Sequence, residues 1–323
     1  MDFNKLKYMI TAWNVGCEAI TLSTILSKIK TDKFGLHVIN SGKPGTGKSK
    51  SSLELLQAID PNNTIILDNT TTDRGLFEVF MEFPNSDIVL DECSTLLRSL
   101  KTQDMIKLSM EGKSLNWIKK NESEVTEPYT GTIILNTNIN LSDSVSDRCL
   151  YNEVVMNRER ALEFVDIYVN KDSLNHEEFI NYCKEKIKDT KQVSLTKKEV
   201  ERIVNFVKDK ISLSDETQSF SRRIIIRQLN YFERAKKFFN GLNNEVFEYL
   251  FKLSESYINN NHTPGLIEHL LSNGDMDKPR LVKEVAKVGK YSESHARKLV
   301  NEEIKLGKLI LRGKNISTKK QDI

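Results

Sequence analysis

The residues Ser41-Gly42-Lys43-Pro44-Gly45-Thr46-Gly47-Lys48-Ser49 narrow the possible folds of this 323-residue chain more than any other segment. A short apolar run, residues 34–40 (FGLHVIN), leads into them from a helical stretch at about 17–30, and KSSLELLQAI follows with helical spacing. The pattern G-x-x-x-x-G-K-[ST] therefore stands in the strand–loop–helix setting its chemistry needs. Glycines let backbone N–H groups turn inward around phosphate oxygens, and the following helix presents its positive N-terminal end. Gly42, Lys43, Pro44, Gly45, Thr46, Gly47, Lys48 and Ser49 accordingly read as a phosphate cradle. Lys48 is expected to reach the β- and γ-phosphates, and Ser49 to ligate Mg2+.

Such a site needs an acidic partner, and residues 86–97 (SDIVLDECSTLL) supply one. The apolar run reads as a buried parallel strand, whose C-terminal edge is where open α/β sheets bind ligands. Asp91 is the expected Mg2+ residue, acting through water, and Glu92 the expected base that polarises an attacking water. By itself an Asp-Glu pair after an apolar run is an ordinary strand end; the phosphate loop upstream gives it meaning.

Residues 131–138 (GTIILNTN) read as a third strand ending in polar residues at the same edge. Ser146-Asp147-Arg148-Cys149 comes next, then a further β-like run, residues 150–156 (LYNEVVM). Taken with the two motifs upstream, this succession resembles AAA+ ATPases. The resemblance implies ATP as the nucleotide and Asn138 as the sensor 1 residue, with Asn136 in its place if the strand ends earlier. It implies Arg148 as a finger pushed into a neighbour's nucleotide, hence a ring or filament of identical subunits, with a hexamer the expected ring. Without the resemblance the same residues are an Asn-rich turn and a surface arginine.

From residue 157 onward the pattern is helical, over about 157–170, 175–189, 196–211, 219–240 and 243–260, as in the small helical lid of an AAA+ protein. Within it, residues 218–229 (QSFSRRIIIRQL) resemble the sensor 2 element, which implies Arg223, or alternatively Arg222, as a γ-phosphate contact; the bland alternative is a solvated Arg pair. Tyr231, Phe232, Phe238 and Phe239 read as lid core rather than as a stacking platform.

Charge is uneven. Residues 276–323 hold thirteen Lys and Arg against six Asp and Glu, a balance of +7, which leaves −4 for the rest of a chain whose total is +3. A basic end is the footprint of a nucleic-acid contact, or simply a solvated tail. It follows the linker-like run Asn259-Asn260-Asn261-His262-Thr263-Pro264-Gly265. Helical runs over 265–272, 278–288 and 292–306, then a short hairpin with Gly307 and Gly313, make a winged-helix arrangement. Its third helix carries His295, Arg297, Lys298 and Asn301, and Arg312 and Lys314 suit the wing. Such domains read DNA or dock protein partners.

Residues 112–131 (GKSLNWIKKNESEVTEPYTG) read as a hairpin turning at Asn121-Glu122-Ser123, resembling the pre-sensor hairpin of superfamily-3 and related DNA-translocating ATPases. That implies Lys119 and Lys120 on a DNA backbone, with Glu122 and Glu124 working against it; a plain surface hairpin is the alternative. Trp117 reads as structural.

No run approaches the length of a membrane-spanning helix, the N-terminus lacks a signal layout, and Cys17, Cys93, Cys149 and Cys183 form neither a zinc nor a disulfide pattern. The cytoplasm is the expected compartment, or host cytoplasm for a virus- or plasmid-borne protein. The expected fold is α/β: a parallel-sheet nucleotide core (1–156), an all-α lid (157–262) and a winged helix (263–323). The expected activity is an ATP- and Mg2+-dependent replicative helicase or translocase acting on DNA. The alternatives are an ATP-switched initiator or helicase loader that does not unwind DNA, and an ATPase whose winged helix docks another replication protein.

Overall fold

The computed structural model describes residues 1–31, 35–119, 122–139, 141–154, 176–210, 222–259, 270–271, 276–289, 292–305, 309–312 and 315–318. The helices expected over 157–170 and most of 265–272, and the residues Lys120 and Lys314, lie outside the described residues. So do the side chains of Lys119, Arg222, His295 and Arg312. The chain divides into two compact units, Met1–Asn259 and Asn260–Ile323.

The first unit opens with α1 (Phe3–Trp13), capped by the Asp2 carboxylate, which accepts from the Lys5 N–H at 2.8 Å. Leu6, Met9, Ile10 and Trp13 put one buried stripe on this helix. In α2 (Glu18–Lys28) every residue from Ile20 to Lys28 is buried, because the helix is packed on all sides. Lys28 is held there by Asp60, at 2.6 Å, and by Asp87.

The sheet strands are β1 (His37–Gly42), β2 (Thr64–Leu67), β3 (Asp87–Asp91), β6 (Ile133–Thr137) and β7 (Cys149–Val154), with a separate hairpin of β4 (Asn116–Lys119) and β5 (Glu122–Val125). All pairings in the large sheet are parallel, in the order β2-β3-β6-β1-β7. Alternate residues serve opposite faces. Val38, Val89 and Ile134 join one core with Leu6, Ile10 and Leu22, whereas Ile39, Ile88, Leu90 and Leu135 join the other with Phe77, Phe80 and Ile106. The first face also takes α3 (Leu55–Ile59), and the second is covered by α4 (Asp73–Glu82), α5 (Ser94–Leu97) and α6 (Leu100–Met110). Because both faces are covered, the strands are nearly continuous apolar runs, and any polar residue inside them stands out.

Helices α8 (His176–Lys188), α9 (Lys197–Lys210), α10 (Arg222–Phe238) and α11 (Asn244–Asn259) follow a one-turn helix, α7 (Asp143–Ser146). Their Phe179, Ile203, Tyr231, Phe232, Phe238 and Phe247 belong to the same core as α1 and α2, so the aromatics of residues 231–238 are packing residues. No single helix among the described residues is long and apolar enough to cross a membrane.

In the second unit, β8 (Met276–Asp277), α12 (Lys278–Gly289), α13 (Glu293–Lys305), β9 (Leu309–Arg312) and β10 (Asn315–Thr318) surround a core of Leu281, Val285, Ala296, Val300, Leu309 and Ile316. The strands form an antiparallel sheet in the order β8-β10-β9. Asp277 caps α12 by accepting from the Arg280 N–H at 2.9 Å, and Pro279 in the first turn needs no such bond.

Candidate functional site

The loop after β1 folds on itself. Thr46 Oγ1 donates to the Lys43 carbonyl at 2.9 Å, and the Lys48 ammonium donates to the carbonyls of Gly42 at 2.8 Å and Lys43 at 3.0 Å. Lys48 is buried, and burial pulls its pKa below the ordinary lysine value against the opposing charges of Glu92 and Asp91. Gly47 has φ +89°, and a Cβ there would sit 2.5 Å from Asn14 Nδ2; only glycine meets both conditions.

That contact reveals a clamp the sequence reading missed. Between α1 and α2, Asn14 Nδ2 donates to the Gly47 carbonyl at 2.8 Å and to Ser51 Oγ at 2.7 Å. Trp13 Nε1 donates to the Lys50 carbonyl at 3.3 Å, and Cys17 Sγ to that of Thr46 at 3.2 Å. Residues 13–17 thus grip the glycine-rich loop and the start of the helix after it. In the sequence, WNVG has no spacing that ties it to the glycine-rich loop. Beside this clamp lies a cavity of about 720 Å³ lined by Gly16, Cys17, Asn152, Val154, Tyr249 and Lys252, among others.

The two expected metal residues meet: Ser49 Oγ donates to Asp91 Oδ1 at 2.9 Å. The same oxygen accepts from Asn136 Nδ2 at 2.7 Å, because β6 lies between β1 and β3 and Asn136 is in register with Asp91. Asn138, one residue past β6, is exposed and accepts from Ser94 Oγ at 3.0 Å. Both candidate asparagines therefore sit at this edge, one on Asp91 and one just beyond Glu92. Glu92 itself is exposed and has φ +54°, while its N–H donates to the Asn136 carbonyl at 3.1 Å. A left-handed glutamate carries a strain of about 1–2 kcal/mol, and such residues cluster at functional sites. A hydroxyl and a carboxylate are hard-oxygen donors of the kind Mg2+ takes when phosphate oxygens and water complete its shell.

Arg148 and Arg223 share one acid. Arg148 Nε donates to Glu111 Oε1 at 2.9 Å, and the Arg223 guanidinium stands 3.7 Å from the same oxygen. Lys113 pairs with the other oxygen at 2.6 Å. The Lys113 and Arg148 bonds draw the Glu111 carboxyl down to about 2. Arg148 is only 10% exposed. Arg227, also missed from sequence, is partly buried and donates to the carbonyls of Ser146, at 2.8 Å, and Cys149, fixing the segment that carries Arg148.

The hairpin forms, with Lys119 opposite Glu122 and Ile118 opposite Ser123, so Glu122 and Ser123, expected in the turn, are strand residues. The pairing wins because it directs Trp117 and Glu124 to one face. There the Trp117 ring lies 5.5 Å from that of Phe77 and 3.2 Å from the Lys101 ammonium, and Glu124 pairs with Arg74. Trp117 is thus a packing residue, and Glu124 is tied to the body of the unit. In the second unit, Arg297 and Lys298 are exposed on α13. No known protein family matches the sequence, and a search of curated proteins gives no match either.

Proposed function

We propose that the protein is a Mg2+-dependent AAA+-type ATPase that assembles as a ring and acts on DNA during replication, as a helicase or translocase. The observation that carries this reading is the convergence on Asp91 Oδ1 of Ser49, from the phosphate loop, and Asn136, from the intervening strand. The strand order adds support, since the acidic strand stands one strand away from the loop strand; this leaves a crevice above β6 for a γ-phosphate and its attacking water.

On this reading the Lys48 ammonium exchanges the Gly42 and Lys43 carbonyls for β- and γ-phosphate oxygens, regaining solvation for its charge. Ser49 and Asp91 would hold Mg2+, whose charge would offset that building on the transferring phosphoryl group. Glu92 takes the proton of the attacking water. Asn136 is the better placed sensor, Asn138 a second polar group at the water's side of the crevice. The base of the nucleotide fits the cavity beside Gly16 and Cys17. Arg148 serves as a finger in trans after leaving Glu111, and Arg223 contacts the γ-phosphate from the lid.

Among the described residues of the second unit, α12 and α13 followed by the paired strands β9 and β10 are the elements this reading takes for a winged helix. Arg297 and Lys298 on its second described helix are its DNA contacts, with Arg312 and Lys314 on the wing; Lys119 and Lys120 contact the backbone from the other hairpin. The test is strand displacement on a tailed duplex with ATP and Mg2+. Wild type should unwind, while Glu92→Gln should bind ATP and turn over about 10²–10⁴-fold more slowly. ATP-dependent DNA binding with hydrolysis but no displacement would point instead to an initiator or loader. Absence of ATP hydrolysis in any assembly state would remove the enzymatic reading.

A further inference from the structure

The large sheet carries a row of polar residues where its strands are otherwise apolar. Asp91 of β3 is in register with Asn136 of β6, Asn136 with Asn40 of β1, and Asn40 with Asn152 of β7. The three asparagines are at most 1% exposed. Asn152 Nδ2 donates to Asn40 Oδ1 at 2.7 Å, Asn40 Nδ2 to Asn136 Oδ1 at 2.9 Å, and Asn136 Nδ2 to Asp91 Oδ1 at 2.7 Å.

We propose that Asn40 and Asn152 are positioning residues for the metal carboxylate, forming with Asn136 a one-way carboxamide relay that ends on Asp91. This rests on the ATPase reading above. Both ends fix the direction. A carboxylate only accepts, so Asn136 must turn its NH2 to Asp91 and its carbonyl to Asn40. Asn40 must then offer its NH2 to Asn136 and its carbonyl to Asn152. At the far end Ser23 Oγ donates to the Ile20 carbonyl at 3.0 Å, which leaves it to accept from Asn152 Nδ2 at 2.9 Å. No member can turn over without placing carbonyl against carbonyl at the next strand.

Packing alone does not call for such a row. Buried carboxamides are costly unless fully bonded, and Asn152 Oδ1 has no partner among the described residues. What the row supplies is orientation. Three amide dipoles point their positive ends toward Asp91, and the donors of Asn136 and Ser49 both engage Oδ1, so the plane of the carboxylate is set before a metal arrives.

The test compares reversing the relay with cutting it. Asn152→Asp keeps the shape but offers an acceptor to Asn40, so the reversal runs through two strands to Asn136. Asn152→Leu removes the link and leaves Asn40 and Asn136 in place. For Asn152→Asp the expected result is a kcat about tenfold down, equivalent to about 1.4 kcal/mol, with a raised half-saturating Mg2+ concentration and little change in the KM for ATP. Asn152→Leu should lose less. In the nucleotide- and metal-free protein, 15N-asparagine spectra should show the Asn136 side-chain NH2 signals displaced by Asn152→Asp. If Asn152→Asp does not fold, Asn40→Leu, which adds no charge and removes the donor to Asn136, should displace the same signals and raise the Mg2+ requirement. Equal losses in the Asp and Leu variants at Asn152, or Asn136 signals unmoved by either tested change, would overturn the relay. If wild type lacks ATPase activity the functional reading fails, and the spectra still decide the relay.

Discussion

Glu111→Gln tests whether one carboxylate holds Arg148 and Arg223. The variant keeps the size and one acceptor oxygen but loses the charge that Arg148, Lys113 and Arg223 surround. The drop of the Glu111 carboxyl from an ordinary 4.5 to about 2, at roughly 1.4 kcal/mol per unit, corresponds to an upper bound of about 3 kcal/mol. Glu111 is 22% exposed, and solvent screening at this rim position reduces the expectation to about 1–2 kcal/mol. A lowered folded-state pKa means that this stability is fully present above about 4.5 and is lost as pH falls toward 2. His37, buried and held down to about 4, makes both proteins less stable in acid, but it is common to them and cancels in the difference. Urea unfolding at pH 7, 4 and 3 should therefore show the variant weaker by about 1–2 kcal/mol at pH 7, with the gap narrowing at each lower pH. A gap that stays constant to pH 3, or none at pH 7, would refute the reasoning. With Arg148 released, mixtures of Glu111→Gln and Lys48→Ala subunits should match or exceed the turnover of wild type mixed with Lys48→Ala. Arg148→Ala in place of Glu111→Gln should be slower than either.

Gly47→Ala places a Cβ against Asn14 at a backbone angle alanine avoids. It should cost at least about 1–2 kcal/mol and abolish ATP binding by calorimetry, and adding Asn14→Ala should relieve the clash without restoring full affinity. Lys28→Met leaves Asp87 buried without its cation, an expected loss of about 3–5 kcal/mol in urea unfolding at pH 7, most of which Lys28→Met combined with Asp87→Asn should recover. Arg297→Glu with Lys298→Glu should weaken DNA binding and flatten its dependence on log salt by about 0.9 for each phosphate that is no longer neutralised. Undiminished binding would move DNA to another surface and leave the second unit to a protein partner.

Much of the architecture was legible because it depends on local patterns. Helices of the 176–259 segment begin and end within a few residues of where their apolar spacing places them, since each needs only one buried face. The strands at 37–42, 87–91 and 133–137 were readable as apolar runs ending in polar residues, since a sheet covered on both faces tolerates little else along its middle. The first helix was not anticipated: Leu6, Met9, Ile10 and Trp13 make a stripe in FNKLKYMITAW, but the residues that bury it, Phe179 and Phe238 among them, lie far along the chain. Glu122 and Ser123 fall in the strand rather than the turn because register follows from which side chains must share a face, and Trp117's partners, Phe77 and Lys101, are distant in sequence.

The site divides along the same line. Lys48, Ser49, Asp91 and Glu92 could be singled out from sequence because the patterns they belong to have fixed spacing from a loop or strand end, and the fold brings Ser49 and Asp91 together. Asn14, Glu111, Arg227 and the Asn40–Asn152 pair were missed because each acts across strands or helices far apart in the chain, where spacing carries no information. The choice between Asn136 and Asn138 shows what decides such cases. Sequence fixes only that both fall near the strand end. Pairing of β6 with β3 makes Asn136, not Asn138, the residue level with Asp91, and the pairing of β6 with β1 brings Asn40 to its other side. An asparagine flanked by a carboxylate and a second carboxamide has one permitted orientation, whereas Asn138, bonded to a hydroxyl that can donate or accept, has two. On the proposed ATPase reading, the residue fixed on both sides is the one suited to report the state of a phosphate across a crevice, and the residue bonded to a rotatable hydroxyl is suited to follow a moving water.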